Sequence, residues 1–492
     1  MAIDLSSIVK AYDVRGVVPD QLSPQVAQAL GVAFARVVVL PDADAAGPAG
    51  SGHPGVVIGR DMRESGPDLV DAFAEGLTSA GVDVTLIGLC STDGLYFASG
   101  QLDVPGAMFT ASHNPAEYNG IKLCRSGARP VGQETGLAEI RELAQEILDG
   151  AFPEPVADTG QVTERDLLGE YAGFLRSLVD LSGSRPLKVV VDAGNGMAGL
   201  TVPAVLGDAA GLAALPLQLV PLFFELDGSF PNHEANPLEP SNLIDLQAAV
   251  VANEADLGLA FDGDADRCFV VDERGGAVSP SAVTALVGLA EVTKELAAGR
   301  TPTVIHNLIT SRAVPDLLSA AGAKTVRTRV GHSFIKAQMA EHGAVFGGEH
   351  SAHYYFRDFW FADTGMLAAL HVLAALSTQE HTMSELAEMF EPYVGSGEIN
   401  STVSDAATAT ERVLDAYRVA YPGIVVDTLD GVTVSHWESH PQWWFNLRAS
   451  NTEPLLRLNV EAADHDIMEK VRDDVLSLVR EPAASTEEEE TS

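Results

Sequence analysis

GVVIGRD, Gly55 to Asp61, is a β-branched run that stops on a small residue, an arginine and a carboxylate. Leu69, Val70, Phe73 and Leu77 follow on one face of a helical period, and VDVTLIG, Val82 to Gly88, is a second strand-like run. Strand, amphipathic helix and strand at this spacing predict a parallel βαβ unit with functional groups at the strand C-termini. The same order returns in LKVVVDAGNGMAG, Leu187 to Gly199, with a helical stretch behind it. It returns again in PTVIHNL, Pro302 to Leu308, with Val314, Leu317 and Leu318 on a helix face, then KTVRTRV, a further helix and AVFGGEH. Three α/β domains are expected, near residues 1–162, 163–276 and 277–391. The rest of the chain differs. GVTVSHW, QWWFNLRA and PLLRLNVE are strand-like runs in close succession, followed by a helix with Ile467, Val471, Val475 and Leu478 on one face. An α+β domain with an antiparallel sheet is expected near residues 392–482, and residues 483–492 read as a disordered acidic tail. Pro41 to Pro54, rich in Gly, Pro and Ala, reads as a loop insertion.

The chain has 492 residues, enough for several cores, and its 46% hydrophobic and 20% charged content is that of a globular protein. Thirty Lys and Arg stand against 69 Asp and Glu, a net charge of −39. Nucleic acid and anionic membrane are excluded as default partners, and an anionic substrate requires a local cationic pocket. Cys90, Cys124 and Cys268 are far apart and form no CxxC, which fits reduced thiols in the cytoplasm. No secretion signal is visible in MAIDLSSIVK, and the longest apolar stretch, Ala209 to Phe224, is broken by Gln218 and two prolines.

Four short stretches could carry chemistry. In FDGDADRC, Asp262, Asp264 and Asp266 alternate and would repel unless a cation neutralised them; oxygen ligands select a hard metal such as Mg²⁺ or Ca²⁺. An acidic turn is the plain alternative. An EF-hand would need glycine where Arg267 stands. In FTASHNP, Phe109 to Pro115, Ser112 lies between a strand-like run and a turn, either as a capping hydroxyl or as a nucleophile that needs a base or a metal beside it. Lys122, in NGIKL, could hold charge near a transferred phosphoryl group, or be a surface lysine. In GGEHSAHYYF, Glu349, His350, Ser351 and His353 could bind vicinal hydroxyls or a metal; the spacing matches neither HExxH nor a serine triad. In RASNTEPLLR, Arg448 to Arg457, two arginines flank Ser450, Asn451 and Thr452. This composition suits a phosphate clamp or a hairpin with surface arginines.

In this order, these motifs resemble the α-D-phosphohexomutase superfamily, most closely its bacterial phosphomannomutase/phosphoglucomutase branch. The resemblance runs from KAYDVRG, Lys10 to Gly16, to about Val479, and includes VDAGNGM, Val191 to Met197, and RVGHSFIK, Arg329 to Lys336. It implies three tandem mixed-sheet α/β domains and a C-terminal α+β domain with an antiparallel sheet, arranged around a central cleft. It also implies that Ser112 is carried as phosphoserine and exchanges its phosphoryl group with hexose phosphates through a hexose 1,6-bisphosphate. By the same resemblance Mg²⁺ sits on Ser112, Asp262, Asp264 and Asp266, and Arg15, Lys122 and His332 handle protons and charge. Tyr12 and Arg267 line the cleft, Glu349 and Ser351 bind sugar hydroxyls, and Arg448, Ser450, Asn451, Thr452 and Arg457 bind the phosphate that is not reacting. The expected substrates are mannose 1- and 6-phosphate, with glucose or glucosamine phosphates as alternatives within the family and a Mg²⁺ phosphatase as the alternative outside it. The expected state is a monomer or homodimer in the cytoplasm. Domain 4 is expected to hinge near Pro392 to Gly397. The chain departs from its relatives in GEHSAH, where bifunctional bacterial members read GEMSGH, at Ala265, where glycine is common, and at Ile309, where some relatives carry lysine.

Overall fold

The computed structural model describes residues 4–42, 52–150, 152–449 and 455–480. Most of the Pro41–Pro54 insertion, the Ser450–Asn451–Thr452 turn and the acidic tail lie outside the described residues.

Four sheets succeed one another along the chain. In the first, Gly55–Arg60 runs parallel to Asp83–Leu89 on one side and Gly106–Phe109 on the other. The chain then turns back, and Tyr118–Arg125 pairs antiparallel with Gly106–Phe109. The helix Gly66–Ser79 covers the sheet and buries Leu69, Val70, Phe73 and Leu77, as their spacing predicts. The second sheet repeats the plan: Leu187–Asp192 is parallel to Leu217–Leu222 and Leu257–Phe261, and Cys268–Asp272 returns antiparallel. The third repeats it again, with Thr303–Asn307 parallel to Lys324–Thr328 and Phe346–Gly348, and Tyr354–Phe356 returning. All three sheets are therefore mixed. Each presents one connection between a parallel strand and the antiparallel strand that returns beside it. These connections carry Ser112, the three aspartates, and Glu349 with Ser351.

Val162–Glu164, which straddles the limit expected at 162, belongs to the first sheet, and Ala277–Val278, just past the limit expected at 276, belongs to the second. In domain 4, Val394–Thr402, Leu455–Ala462, Trp443–Ala449, Val432–Ser435 and Val425–Asp427 form a fully antiparallel sheet, backed by the helices Ala406–Ala420 and His465–Arg480.

One continuous apolar cluster runs through domains 2 and 3 and onto the helix Thr92–Leu102 of domain 1. A second core fills the other face of the domain 1 sheet, and domain 4 has a core of its own. Among the described residues no helix is long and apolar enough to cross a membrane.

Candidate active site

Ser112 is held by its own loop. The Thr110 hydroxyl accepts the Ser112 N–H at 2.9 Å, the Asn114 N–H reaches back to the Ala111 carbonyl at 3.0 Å, and Pro115 then denies Asn114 a helical continuation. Ser112 has φ 52°, a left-handed conformation that a non-glycine residue keeps only where its surroundings hold it. Its hydroxyl is buried and meets a carboxylate of the neighbouring domain: Oγ donates to Asp262 Oδ2 at 2.9 Å.

The aspartates sit in a hairpin between Leu257–Phe261 and Cys268–Asp272, so the flanks are strands and not the helices of an EF-hand. Asp262, Asp264 and Asp266 are fully buried, and each can place one carboxylate oxygen within 4.8 Å of the others. The Lys122 ammonium donates to Asp264 and Asp266 at 2.7 Å each, and Thr92 Oγ1 donates to Asp264 at 2.6 Å. Arg267 donates to Asp262 through its backbone N–H at 3.1 Å and its Nε at 2.9 Å. Three carboxylates thus face two side-chain cations, and Asp264 Oδ1 and Asp266 Oδ1 are buried without a hydrogen-bond partner. Orphaned carboxylate oxygens in an all-oxygen cluster fit a hard divalent cation. Ala265 adopts φ 59°, a conformation that glycine takes without strain, which accounts for glycine being common at this position.

The electrostatics agree with such a site. Burial pushes the Asp262 carboxyl up to about 7. Burial also opposes ionisation of Asp264, but Lys122 outweighs it and holds that carboxyl well below the usual range. Burial disfavours the Lys122 ammonium, and Asp264 and Asp266 more than offset this, so it stays charged far above the ordinary lysine range. Burial, with the Arg267 and Arg15 guanidiniums, pushes His113 down to about 2, and its neutral Nδ1 accepts from Arg267 Nη2 at 2.7 Å.

Arg15 joins this centre through Asn114 Oδ1 at 2.6 Å and is oriented by Asp13 at 2.6 Å. Tyr12 packs edge-on against Phe334 and lies beside Gly331, at the start of the helix His332–His342; the His332 side chain is outside the described residues. Glu349 is buried in the third connection, where it accepts from Asn307 at 3.1 Å, the Gly331 N–H at 3.2 Å and the Tyr355 hydroxyl at 2.7 Å. Ser351 is half-buried beside it. Arg448 and Arg457 stand directly opposite each other on neighbouring strands, and one carboxylate, Glu398, lies between them at 3.5 and 3.2 Å. Two guanidiniums on one carboxylate, each with a buried Nε lacking a partner, leave cationic capacity for an anion. Their ion pairs are within domain 4.

Three features at the centre escaped the sequence reading. Arg63 is buried under the Ser112 loop, Thr92 bonds Asp264, and His353 lies 3.8 Å from Asp266 Oδ1 while bonding Asp363 at 3.0 Å. Asp363 in turn pairs with buried Lys336 at 2.7 Å. GEHSAHYYF pointed to His353 as a binder of hydroxyls or of a metal, but nothing local to it signalled a place beside Asp266 and Asp363.

Family models described as phosphoglucomutase/phosphomannomutase α/β/α domains I, II and III and C-terminal domain match residues 6–150, 170–276, 280–393 and 398–478. A phosphomannomutase of Escherichia coli is 38% identical over 478 residues, covering 96% of this chain and 98% of its own. A protein of Xanthomonas campestris pv. campestris named for phosphohexose mutases is 39% identical over 474 residues, with the same coverage. The crystal structure of a phosphoglucomutase/phosphomannomutase family protein from Burkholderia thailandensis superposes with a TM-score of 0.80 at 30% identity, covering 96% of this chain and 97% of that one.

Proposed function

The chain belongs to the phosphoglucomutase/phosphomannomutase family, and from that premise we propose that it is a phosphomannomutase interconverting mannose 1-phosphate and mannose 6-phosphate. The observation that carries the reading is the meeting of Ser112 Oγ with Asp262 at 2.9 Å, beside two orphaned carboxylate oxygens and a charged lysine.

Ser112 carries the phosphoryl group. The bond from phosphorus to Ser112 Oγ breaks as a bond forms to the free hydroxyl of the hexose monophosphate, giving a hexose 1,6-bisphosphate. The sugar hydroxyl gives up its proton and Ser112 Oγ gains one. After the intermediate reorients, its other phosphoryl group returns to Ser112, and phosphate has moved between O1 and O6. Asp262, Asp264, Asp266 and the Ser112 phosphate would hold Mg²⁺, which would supply charge neutralisation for the transferred group. Lys122 holds Asp264 and Asp266 in place and is the group that holds charge or moves a proton near the transferred phosphoryl. Arg15, with Asn114, and Arg267, with Asp262, add positive charge on either side; Tyr12 closes this end of the cleft beside His332, a further candidate for moving protons. Glu349 and Ser351 receive sugar hydroxyls, and Arg448, Ser450, Asn451, Thr452 and Arg457 bind the phosphate that is not reacting.

A fixed clamp with a separate reaction centre suits a substrate that binds in two orientations, and favours a mutase over a phosphatase. GEHSAH leaves glucose phosphates as a second substrate class. A cytoplasmic location fits the three buried free thiols, Cys90, Cys124 and Cys268.

The test is a ³¹P NMR time course with mannose 1-phosphate, Mg²⁺ and a trace of hexose 1,6-bisphosphate, run beside glucose 1-phosphate and beside Ser112→Ala. Mannose 6-phosphate is expected to form and Ser112→Ala to abolish it. Release of inorganic phosphate would reassign the protein as a phosphatase, and turnover of glucose 1-phosphate alone would correct the substrate.

A further inference from the structure

Arg63 follows the strand Gly55–Arg60 and is 1% exposed. A guanidinium has five N–H donors in a rigid fork, and a buried one is tolerated when they are satisfied. Here all five are used. Nε donates to Asp61 Oδ2 at 3.2 Å. Nη1 donates to the carbonyls of Pro115 and Tyr118 at 2.8 Å each. Nη2 donates to the carbonyls of Ser112 and Asn114, at 3.1 and 2.7 Å. Asp61 is fully buried and also accepts the Arg63 backbone N–H at 3.0 Å, so the cation is itself fixed. From domain 2, Phe230 lies over the guanidinium at 5.3 Å, and Gly228 approaches so closely that a Cβ there would sit 2.8 Å from the Arg63 Cα. The fork is sealed on one side by the serine loop and on the other by the domain that bears the aspartates.

Four carbonyls of one loop converging on one cation fix the orientation of the peptide planes between Ser112 and Tyr118. The Ser112 carbonyl points at Arg63, and its Oγ meets Asp262. Releasing that carbonyl would free the residue to leave the left-handed conformation, and its side chain would swing off the carboxylates.

We propose that Arg63 is the positioning residue for the phosphoryl carrier: its buried fork pins the Ser112 loop by four carbonyls and aims Oγ at the aspartate cluster. The proposal rests on Ser112 being that carrier. Arg63 touches no reacting atom, so its loss acts on the rate of transfer and leaves hexose phosphate binding nearly intact.

Two variants test it. Arg63→Lys keeps a cation beside Asp61 but has three donors on a flexible stem and cannot form the fork. Asp61→Asn with Arg63→Gln removes both buried charges together, so neither is left uncompensated. Phosphorylation of Ser112 by mannose 1,6-bisphosphate is followed by intact mass in a quenched single turnover, beside steady-state kinetics and circular dichroism melting. In both variants the single-turnover rate falls about 100-fold, the cost of moving a reacting group by an ångström. KM for mannose 1-phosphate stays within about threefold, because ground-state binding is untouched. A wild-type single-turnover rate in either variant overturns the proposal, as does a loss expressed wholly in KM. If neither variant folds, Arg63 is a structural brace and the proposal falls. Ser112→Ala separates the two failures. Phosphoryl uptake that persists in it sinks the reading of Ser112, while no uptake in it together with wild-type rates in the Arg63 variants sinks the inference alone.

Discussion

Gly263 shows how tightly single residues are specified at this centre. It lies between two of the aspartates, and a Cβ built on it would fall 2.4 Å from the Ser112 carbonyl oxygen, which Arg63 holds from the other side. That carbonyl is backbone and not a side-chain end that can rotate away, so the loop or the serine must move. Gly263→Ala is expected to lower kcat about 100-fold by displacing the serine from the aspartates, and to weaken Mg²⁺ binding. Steady-state kinetics with a Mg²⁺ titration checks this, and a wild-type kcat would falsify it. The residues that meet here were unequally visible in the sequence. Asp262, Asp264 and Asp266 announce themselves, because three alternating carboxylates after an apolar strand demand a partner. Ser112 and Lys122 gain meaning only beside them. Arg63 gave no signal, since an arginine in a strand-to-helix connection is ordinary until the fold brings four carbonyls from 49 to 55 positions away onto its donors. The departures have local consequences too: His350 faces the Ser281 hydroxyl at 3.1 Å, and Ile309, where some relatives carry lysine, lies in the same cavity wall.

The helix Thr92–Leu102 is the element that ties domain 1 to its neighbours. Ser91 caps it by accepting the Gly94 N–H at 3.2 Å, and Asp93 sits fully buried in its first turn, where the helix N-terminus favours a negative charge. Asp93 accepts from Ser91 of its own domain, from the Tyr171 hydroxyl of domain 2 at 2.8 Å and from Thr364 of domain 3 at 2.6 Å. Burial still dominates and pushes this carboxyl up to about 6. The folded chain therefore binds a proton that the unfolded chain has lost between the ordinary aspartate value, near 4, and 6. Stability from this group is greatest at low pH, falls as pH rises through that window and is flat above it, a swing of about 3 kcal/mol. Thermal melts of wild type and Asp93→Asn from pH 4.5 to 7.5 isolate it from the repulsion of the net charge: the wild type's advantage over the variant is expected to shrink as pH rises. A difference between the two that does not change with pH would refute the assignment. The βαβ units were legible at this scale because their helices bury one face at a regular spacing. The junction was not: Asp93, Tyr171 and Thr364 are remote in sequence, and no periodicity marks which helix will lie between domains. The mixed sheets came from the resemblance and not from periodicity, since a strand-like run does not state the direction of its neighbour.

The four domains are not equally joined. Domains 2 and 3 and the helix Thr92–Leu102 share one apolar core, whereas domain 4 closes a core of its own around Trp443, Phe445 and Val475. What links domain 4 to domain 3 is largely polar. The Arg312 N–H donates to Glu461 at 2.9 Å, the Val330 N–H to Asp430 at 3.2 Å and the Tyr393 hydroxyl to Asp316 at 2.9 Å, and Arg327 pairs with Asp427. Water can take over such bonds at little cost, while a shared apolar core resists separation. A cavity of about 740 Å³ opens among Pro237 and Leu238 of domain 2, Ser281 and His350 of domain 3, and Trp444 and Glu461 of domain 4, which leaves room on that side. The chain passes between the domains at Pro392 to Gly397, where the first strand of domain 4 carries a register shift between Gly395 and Glu398 and Gly397 has φ 67°. Domain 4 is therefore expected to rotate as a rigid body about this segment and to carry Arg448 and Arg457 towards a phosphate held at the centre. Two guanidiniums on one carboxylate give the motion its driving force, because a bound phosphate satisfies donors that Glu398 alone leaves free. Small-angle scattering of the Ser112→Ala protein with and without mannose 1,6-bisphosphate tests this without turnover. The radius of gyration should fall on binding, and the fall should vanish in Arg448→Ala/Arg457→Ala. Superimposable profiles with and without the bisphosphate, at concentrations that saturate the site, would mean that the clamp is preformed and domain 4 does not close.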